Sequence, residues 1–533
     1  MKTKTKRFLL RRLPLYFARI ITVLLILNSV NAGVFSQPNN PTEIVTISVS
    51  EKFSTLDTLT ATASDAAADR IRYLIFNSLV KKDEKFDYTG DLAREIKTSA
   101  DGKTITFALR DNVKFHNGKI LTAADVKYTF DELFKSNGYK SGAFFETVGS
   151  QKVAHITSIE IPNSNTVKFV LSRAKLRNRF LSNLALIPVI PEQSVAQQSS
   201  HPVGSGAFIF VSFNQELNIL ELRANPDYFD GAPSIHNVRV KTVTDAAALQ
   251  VELESGAVDI APLPDRLSPD ILKSFEQNPK LKVEQFSGAN IDYLGFNTKS
   301  PVLKKVKIRQ AIAYGIDRQR IINEVLLGQA KIAHSVLPAE SWAYFEAAKY
   351  GYNPERARQL IRESGYKNER ILFKISLGNR AVIQYAQVIQ NSLRAIGLNV
   401  EIEVLEPNTL RTQLALGQFQ MNTGRWIGGN QDPVFLNDLF ATGAIPSGRV
   451  SCCNRSRYTN ARFDKIIEEA LNSADREKAK VLYAEAQKIV GDDLPLLPLW
   501  YPANLVVSNK RIGNIKINPG GDWSFVKNLR INN

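Results

Sequence analysis

Apolar residues recur along this chain with a period of two, then with spacings of three and four. The points of changeover carry turn and cap residues. The clearest case runs from Asp101 to Leu133. Asp101-Gly102 is a turn pair, because glycine accepts the positive φ of a tight turn. Ile105, Phe107 and Leu109 alternate with Thr104, Thr106 and Ala108, which predicts a half-buried strand. Asn117-Gly118 signals a second turn. Thr122 is placed to cap a helix whose Val126, Phe130 and Leu133 recur at helical spacing, and Asp125 sets a carboxylate at the positive end of that helix.

The same reading extends in both directions. Ile44, Ile47 and Val49 predict a strand over 42–49, and Ile71, Leu74, Ile75 and Leu79 a short helix. Residues 156–161 and 167–171 alternate on either side of a Pro-Asn-Ser-Asn turn, which is a hairpin, and Phe180 to Ile187 is an apolar helix stopped by Pro188. A strand at 238–243, a helix at 245–253 stopped by Gly256, and a strand from Val258 predict a parallel pair. Further on the plan repeats directly. Asn353-Pro354 opens a helix closed by Gly365, and Ile371 to Leu377 alternate. Val382, Ala386, Ile389, Leu393 and Ile396 then lie on one face, Gly397 stops that helix, and Leu398 to Val404 alternate again. Amphipathic helices follow at 463–471 and 479–490, and short strand-like pieces fill 505–533. Helix, glycine stop and strand, twice over, mark an α/β protein.

With 533 residues the chain is long enough for two or three packed units. Its charge matters mainly at the start. The net charge is +16, and removing the seven basic residues before Ala32 leaves +9. That segment has a basic beginning, an apolar run from Ile20 to Leu27, and Val30-Asn31-Ala32, so residues 1–32 read as a cleavable export signal. An uncleaved anchor is the alternative. No cysteine follows the apolar run, which closes the lipoprotein route. The body has no Lys/Arg-rich run with interleaved aromatics, so nucleic acid is not an expected partner. Its two cysteines, Cys452 and Cys453, are adjacent. Neighbouring Cα atoms sit about 3.8 Å apart and disulfides favour about 4.4–6.8 Å, so two free thiols and an oxidation-dependent pair both stay open. The five histidines are scattered without metal-ligand spacing, and no metal or cofactor is expected. Gly-Ser-Gly at 204–206 lacks the order of a nucleophile elbow, and no other catalytic set emerges.

The run LRDNVKFHNG followed by LTAADVKYTF (residues 109–130) resembles the defining motif of the family 5 solute-binding proteins of bacterial ABC importers. RQAIAYGID at 309–317, the turn at 202–208 and the segment 225–233 resemble other parts of the same family. The resemblance implies a two-lobed α/β periplasmic binding protein fold, class II-like, with an extra small α+β domain and a ligand cleft between lobes. It implies lobe one from 33–77, 200–288 and 505–533, a small domain at 78–199, and lobe two at 289–504. It implies a monomeric periplasmic receptor, not an enzyme, which captures a peptide or peptide-like solute and works with an ABC permease and ATPase. A binding protein for a glycan, an opine-like compound or a metal chelate is the alternative, and a secreted hydrolase a more distant one.

The stretch Thr423 to Val434 aligns with the segment that relatives turn toward their ligands, and it supplies the candidates Arg425, Trp426, Gly428, Gly429, Asn430 and Asp432. Ser64 closes a polar loop that lines the cleft in relatives, and Arg380 joins Arg425 as a candidate for an anionic ligand group, since a guanidinium grips a carboxylate with two bonds. A packed core tryptophan and surface arginines are the plain structural readings of Trp426, Arg425 and Arg380. Peptide-binding members carry an aspartate for the peptide amine three residues after the tryptophan, and this chain has Gly429 there. The exported protein is expected to begin at Gly33 and to carry no lipid; mass spectrometry of the periplasmic fraction checks this, and a chain beginning at Met1 in the membrane fraction would overturn it.

Overall fold

The computed structural model describes residues 43–532, apart from 137, 149–150, 265–266, 429–430, 448–452 and 474. The segment expected to direct export, residues 1–32, lies outside the described residues, as do Gly429, Asn430 and Cys452. A seven-stranded sheet runs in the order Phe208–Asn214, Ile219–Ala224, Asn237–Thr242, Ile44–Val49 (β1), Ile260–Pro262, Asn504–Asn509, Leu281–Phe286. A six-stranded sheet runs in the order Ala330–Ile332, Leu496–Pro502, Ile291–Phe296, Met421–Trp426, Ile371–Ser376, Val400–Leu405. Two places carry the chain between these sheets: residues 287–290, and Ala503.

A four-stranded antiparallel sheet, Ala93–Thr98, Thr104–Leu109, Thr166–Leu171 and Ile156–Asn163, stands on the side of the seven-stranded one. Val45 and Ile47 of β1, Ile71 of the helix Ala66–Ile75 (α1), and Phe107 and Phe169 of the four-stranded sheet belong to one buried apolar cluster. The six-stranded sheet has a core of its own around Phe296, Ile312, Phe373, Ile389 and Trp500.

Local signals landed close to their elements where the cause is local. Thr122 and Asp125 form a reciprocal capping box on the helix Ala123–Lys135 (α2). Asp125 is fully buried and does more than cap: it also accepts from Lys119 and from the Glu192 amide at 2.9 Å. Asn353 caps Pro354–Glu363, and Gly397 takes φ +99 after Arg380–Ala395. The strands Ile371–Ser376 and Val400–Leu405 pair in parallel.

Two expectations need correction. The strands on either side of the helix Ala246–Ser255 do not pair with each other; β1 lies between them and is parallel to both. The N-terminal strand takes the central place because its side chains are buried on both faces. The first helix spans Ala66–Ile75 and not 71–79. Asp65 starts it by accepting from the Ala68 amide at 2.9 Å. It ends at Ile75 because another backbone crosses there: the Gly206 amide donates to the Ile75 carbonyl at 2.8 Å. A Cβ on Gly204 would stand 2.1 Å from that oxygen, and one on Gly206 would stand 2.4 Å from the carbonyl carbon. Only glycine permits this approach.

His116, from the segment before α2, locks the same crossing. Its Nδ1 accepts from the Gly204 amide at 3.4 Å, so its Nε2–H donates to the Gly206 carbonyl at 3.0 Å. A second proton would have to sit on Nδ1, facing an N–H. Burial lowers the His116 pKa to about 4 from 6.5, with the Gly206 bond opposing. The unfolded chain therefore takes up this proton near pH 6.5 and the folded chain only near pH 4. Stability contributed by the neutral ring is complete above pH 6.5 and is lost as pH falls toward 4, up to about 3 kcal/mol. Urea titrations between pH 7 and 4 should show a shallower acid slope for His116→Gln; an unchanged slope would remove His116 from the account.

Candidate interlobe binding site

The seven-stranded and six-stranded bodies face each other across a cavity of about 730 Å³. Its floor on one side is α1. The cap at Asp65 sets the helix phase, and Asp69, Arg72, Tyr73 and Phe76 follow at positions that share a face. The tail segment 516–528 forms a second wall and brings Trp523. The six-stranded body contributes Asn290, Ile427, Gly428 and Gln431.

Arg72 is the unusual side chain. It lies 3% exposed, inside the apolar stripe of Ala68, Ile71 and Ile75. Its Nη1 donates to Ser78 Oγ at 3.3 Å and its guanidinium lies 4.3 Å from the Tyr73 ring centroid. Asp69 is near but engaged elsewhere: Lys140 Nζ donates to Oδ1 at 2.8 Å and the Tyr139 hydroxyl to Oδ2 at 2.7 Å. Burial pulls the Lys140 pKa down to about 8, Arg72 adds to this, and Asp69 opposes it. Burial raises the Tyr73 pKa, and Arg72 pulls it the other way.

Polar contacts also run between the 78–199 segment and the six-stranded body, and of these residues Lys82 and Gln431 line the cavity. Lys82 Nζ donates to Gln431 Oε1 at 3.3 Å, and the Tyr88 hydroxyl donates to Asp432. Burial lowers the Lys82 pKa against the pull of Asp432, while burial and Asp432 together hold Tyr88 well above its ordinary value. Arg476 meets Asp87 at 2.5 Å, and Arg179 meets Asp438 at 2.6 Å.

Of the candidates read from the sequence, Gly428 lies in the cavity wall, at φ +72, with its amide donating to Asn290 Oδ1 at 3.3 Å. Asp432 is buried behind the wall, where it accepts from Tyr88 and from the Val434 amide at 2.8 Å. Trp426 is half-buried, stacked on Tyr293 with centroids 6.1 Å apart and edge-on to Phe435 at 5.2 Å. Arg425 grips Asp292 with both prongs, Nε to Oδ1 at 2.6 Å and Nη2 to Oδ2 at 2.9 Å. Arg380 is exposed at the start of its helix, within electrostatic reach of Asp270. Ser64 is exposed beside the Tyr139 hydroxyl. Arg72, Lys82 and Trp523 escaped the sequence reading. Arg72 had left a signal, a lone charge within the apolar stripe of a helix; Trp523, in an aperiodic segment, had not.

Cys453 is disulfide-bonded. Among the described residues no group of three or more His, Cys, Asp and Glu side chains is arranged to hold a metal ion. Nor is any helix among them long and apolar enough to cross a membrane.

Residues 87–447 match the bacterial extracellular solute-binding proteins, family 5 (Middle), and the chain belongs to that family. It is 28% identical over 494 residues to the oligopeptide-binding protein AppA of Bacillus subtilis, covering 86% of this chain and 87% of that one. It is 30% identical over 448 residues to the probable D,D-dipeptide-binding periplasmic protein DdpA of Escherichia coli, covering 81% and 83%. The fold is that of HbpA2 from Haemophilus parasuis, with a TM-score of 0.78 at 24% identity over 92% of this chain and 100% of that one. The two-lobed periplasmic binding protein architecture is thus shared.

The Arg425–Asp292 pair makes a distinct prediction. Asp292 is 3% exposed, and without Arg425 its carboxylate is left with the Trp500 Nε1 donor at 2.8 Å. Arg425→Ala should lower unfolding free energy by about 2 kcal/mol, the scale of a charged hydrogen bond. Urea titration measures this, and an unchanged midpoint would show the pair to be dispensable.

Proposed function

We propose that this chain is the substrate-binding receptor of an ABC importer. It captures a peptide or peptide-like solute between two lobes and delivers it, unchanged, to a membrane permease and its ATPase. The observation that carries this reading is the cavity itself. Both bodies line it, its volume of about 730 Å³ is that of an ordinary ligand pocket, and among the described residues two crossings of the chain join the walls. Family membership supports the class of function, and the peptide label rests on the two curated relatives, each named for peptides.

In this reading lobe one comprises 33–77, 200–288 and 505–533, carries the 78–199 domain, and is hinged to lobe two, 289–504. The mature receptor works as a monomer in the periplasm. Its binding surface draws on Gly428 and on the neighbouring Gly429 and Asn430, with main-chain groups pairing to an extended ligand. Hinge closure then favours the closed population by as much as the ligand binds it better.

A thermal-shift screen against short peptides tests the proposal, because a ligand at 100 times its dissociation constant stabilises by about 2.7 kcal/mol. A peptide that raises the melting temperature should also reduce the radius of gyration in small-angle scattering. A ligand that binds tightly and leaves the scattering curve unchanged would argue against hinge closure.

A further inference from the structure

We infer that Arg72 and Trp523 form an anion seat on lobe one, and that the solute enters the cavity with a carboxylate on that seat. The inference rests on the cavity being the ligand site, and it adds which end of the ligand goes where.

Three buried N–H donors belong to residues lining the cavity. Arg72 Nε and Nη2 have no hydrogen-bond partner among the described residues, and neither has Trp523 Nε1. Both side chains are almost wholly enclosed, Arg72 at 3% and Trp523 at 1% exposure. A buried guanidinium normally finds a carboxylate, since an unpaired buried charge is strongly unfavourable. Among the described residues the carboxylate within ion-pair distance of it is Asp69, whose Oδ1 stands 4.0 Å from Nε, while Asp522 of the tail lines the same cavity and acts on the neighbouring Tyr73. That distance is too long for a hydrogen bond. Both Asp69 oxygens already serve Lys140 and Tyr139. Two cations therefore share one carboxylate, and Arg72 is the one left over.

The donor set defines the chemistry. Nε and Nη2 are the edge of the guanidinium fork that meets a carboxylate with two parallel bonds. Trp523 adds a donor that cannot accept. A ligand amine would find no acceptor in this set. A free α-carboxylate, as at the end of a short peptide, matches it in charge and shape; a phosphate shares the charge.

The test uses the mature protein, a panel of tripeptides as free acids and as C-terminal amides, and citrate and inorganic phosphate as non-peptide anions. Calorimetry and thermal shift are run on wild type, Arg72→Gln and Trp523→Phe. For any tripeptide that binds, amidation should weaken binding to wild type at least tenfold. Arg72→Gln should weaken the acid by a similar factor and leave the amide unchanged, and Trp523→Phe should reduce the acid severalfold. Without ligand, Arg72→Gln should melt at or above the wild-type temperature, because an unpaired buried charge has been removed. If that variant does not fold, Arg72 is structural and the inference fails for it; Trp523→Phe then decides alone through the same acid-to-amide ratio. Acid and amide binding wild type alike, or Arg72→Gln weakening both equally, overturns the seat. If no tripeptide binds but citrate or phosphate stabilises wild type and not Arg72→Gln, the seat stands and the peptide reading falls. If no anion distinguishes the two proteins, the seat falls.

Discussion

One buried amide holds the two bodies in register. Asn504 stands just past the second crossing, and its Nδ2 lies within hydrogen-bond reach of the Ser287, Asn518 and Pro519 carbonyls, at 3.2, 3.0 and 3.0 Å. It thus ties the first crossing, the second crossing and the tail to a single point. The backbones are as close as they can be: a Cβ on Gly288 would stand 1.9 Å from the Pro502 oxygen. The Ala289 amide donates to the Pro519 carbonyl at 2.9 Å, so the tail is stitched to the crossing as well. The two cavity walls nearest the crossings take their position from this knot. The tail carries Trp523 into one wall, and the first crossing delivers Asn290 to another.

Against that fixed point, the contacts across the cleft are of a different kind. Arg179–Asp438 and Arg476–Asp87 have side chains 31–43% exposed. Exposed ion pairs contribute roughly 0–1 kcal/mol each. The Tyr88–Asp432 bond and the Lys82–Gln431 bond are more enclosed, but each joins the 78–199 segment to the six-stranded body by one side-chain contact. The apolar cores tell the same story. Val45 and Phe169 share one cluster, whereas Phe373 belongs to another. Packing binds the small sheet to the seven-stranded one, and polar contacts meet the six-stranded one. That division suits a molecule whose closure is set by what lies between the lobes.

How far the chain could be read from its residues follows the range of the forces involved. Thr122, Asn353 and Gly397 act within a few residues of themselves, and their helices begin or end close to where the cap residues stand. Strand order is non-local: nothing near 238–262 reveals that β1, almost 200 residues earlier, inserts between the two strands. The end of α1 failed for the same reason, since the backbone that stops it belongs to Gly204 and Gly206. In the site, the resemblance drew attention to 423–434, and Gly428 does line the cavity. It could not reveal that Asp292 engages Arg425, because that carboxylate comes from the neighbouring strand. Arg72 was legible in principle, as a charge where helical spacing demands an apolar residue.

The placement of Arg72 also bears on the order of events. A ligand held first by both lobes would require a closed cavity that admits it. A donor set built wholly within lobe one needs no closure to form, because α1 and the Trp523 segment pack against each other within one core. A solute can then dock on the open lobe by its charged end. The six-stranded body brings Gly428, an uncharged residue whose backbone stands at φ +72 in the cavity wall. Charge attraction acts over distance and falls off with salt, while main-chain pairing acts only at contact. The first selects the end of the ligand, and the second accommodates its length with little regard for its side chains. A receptor divided in this way is selective for one terminal group and permissive along the rest.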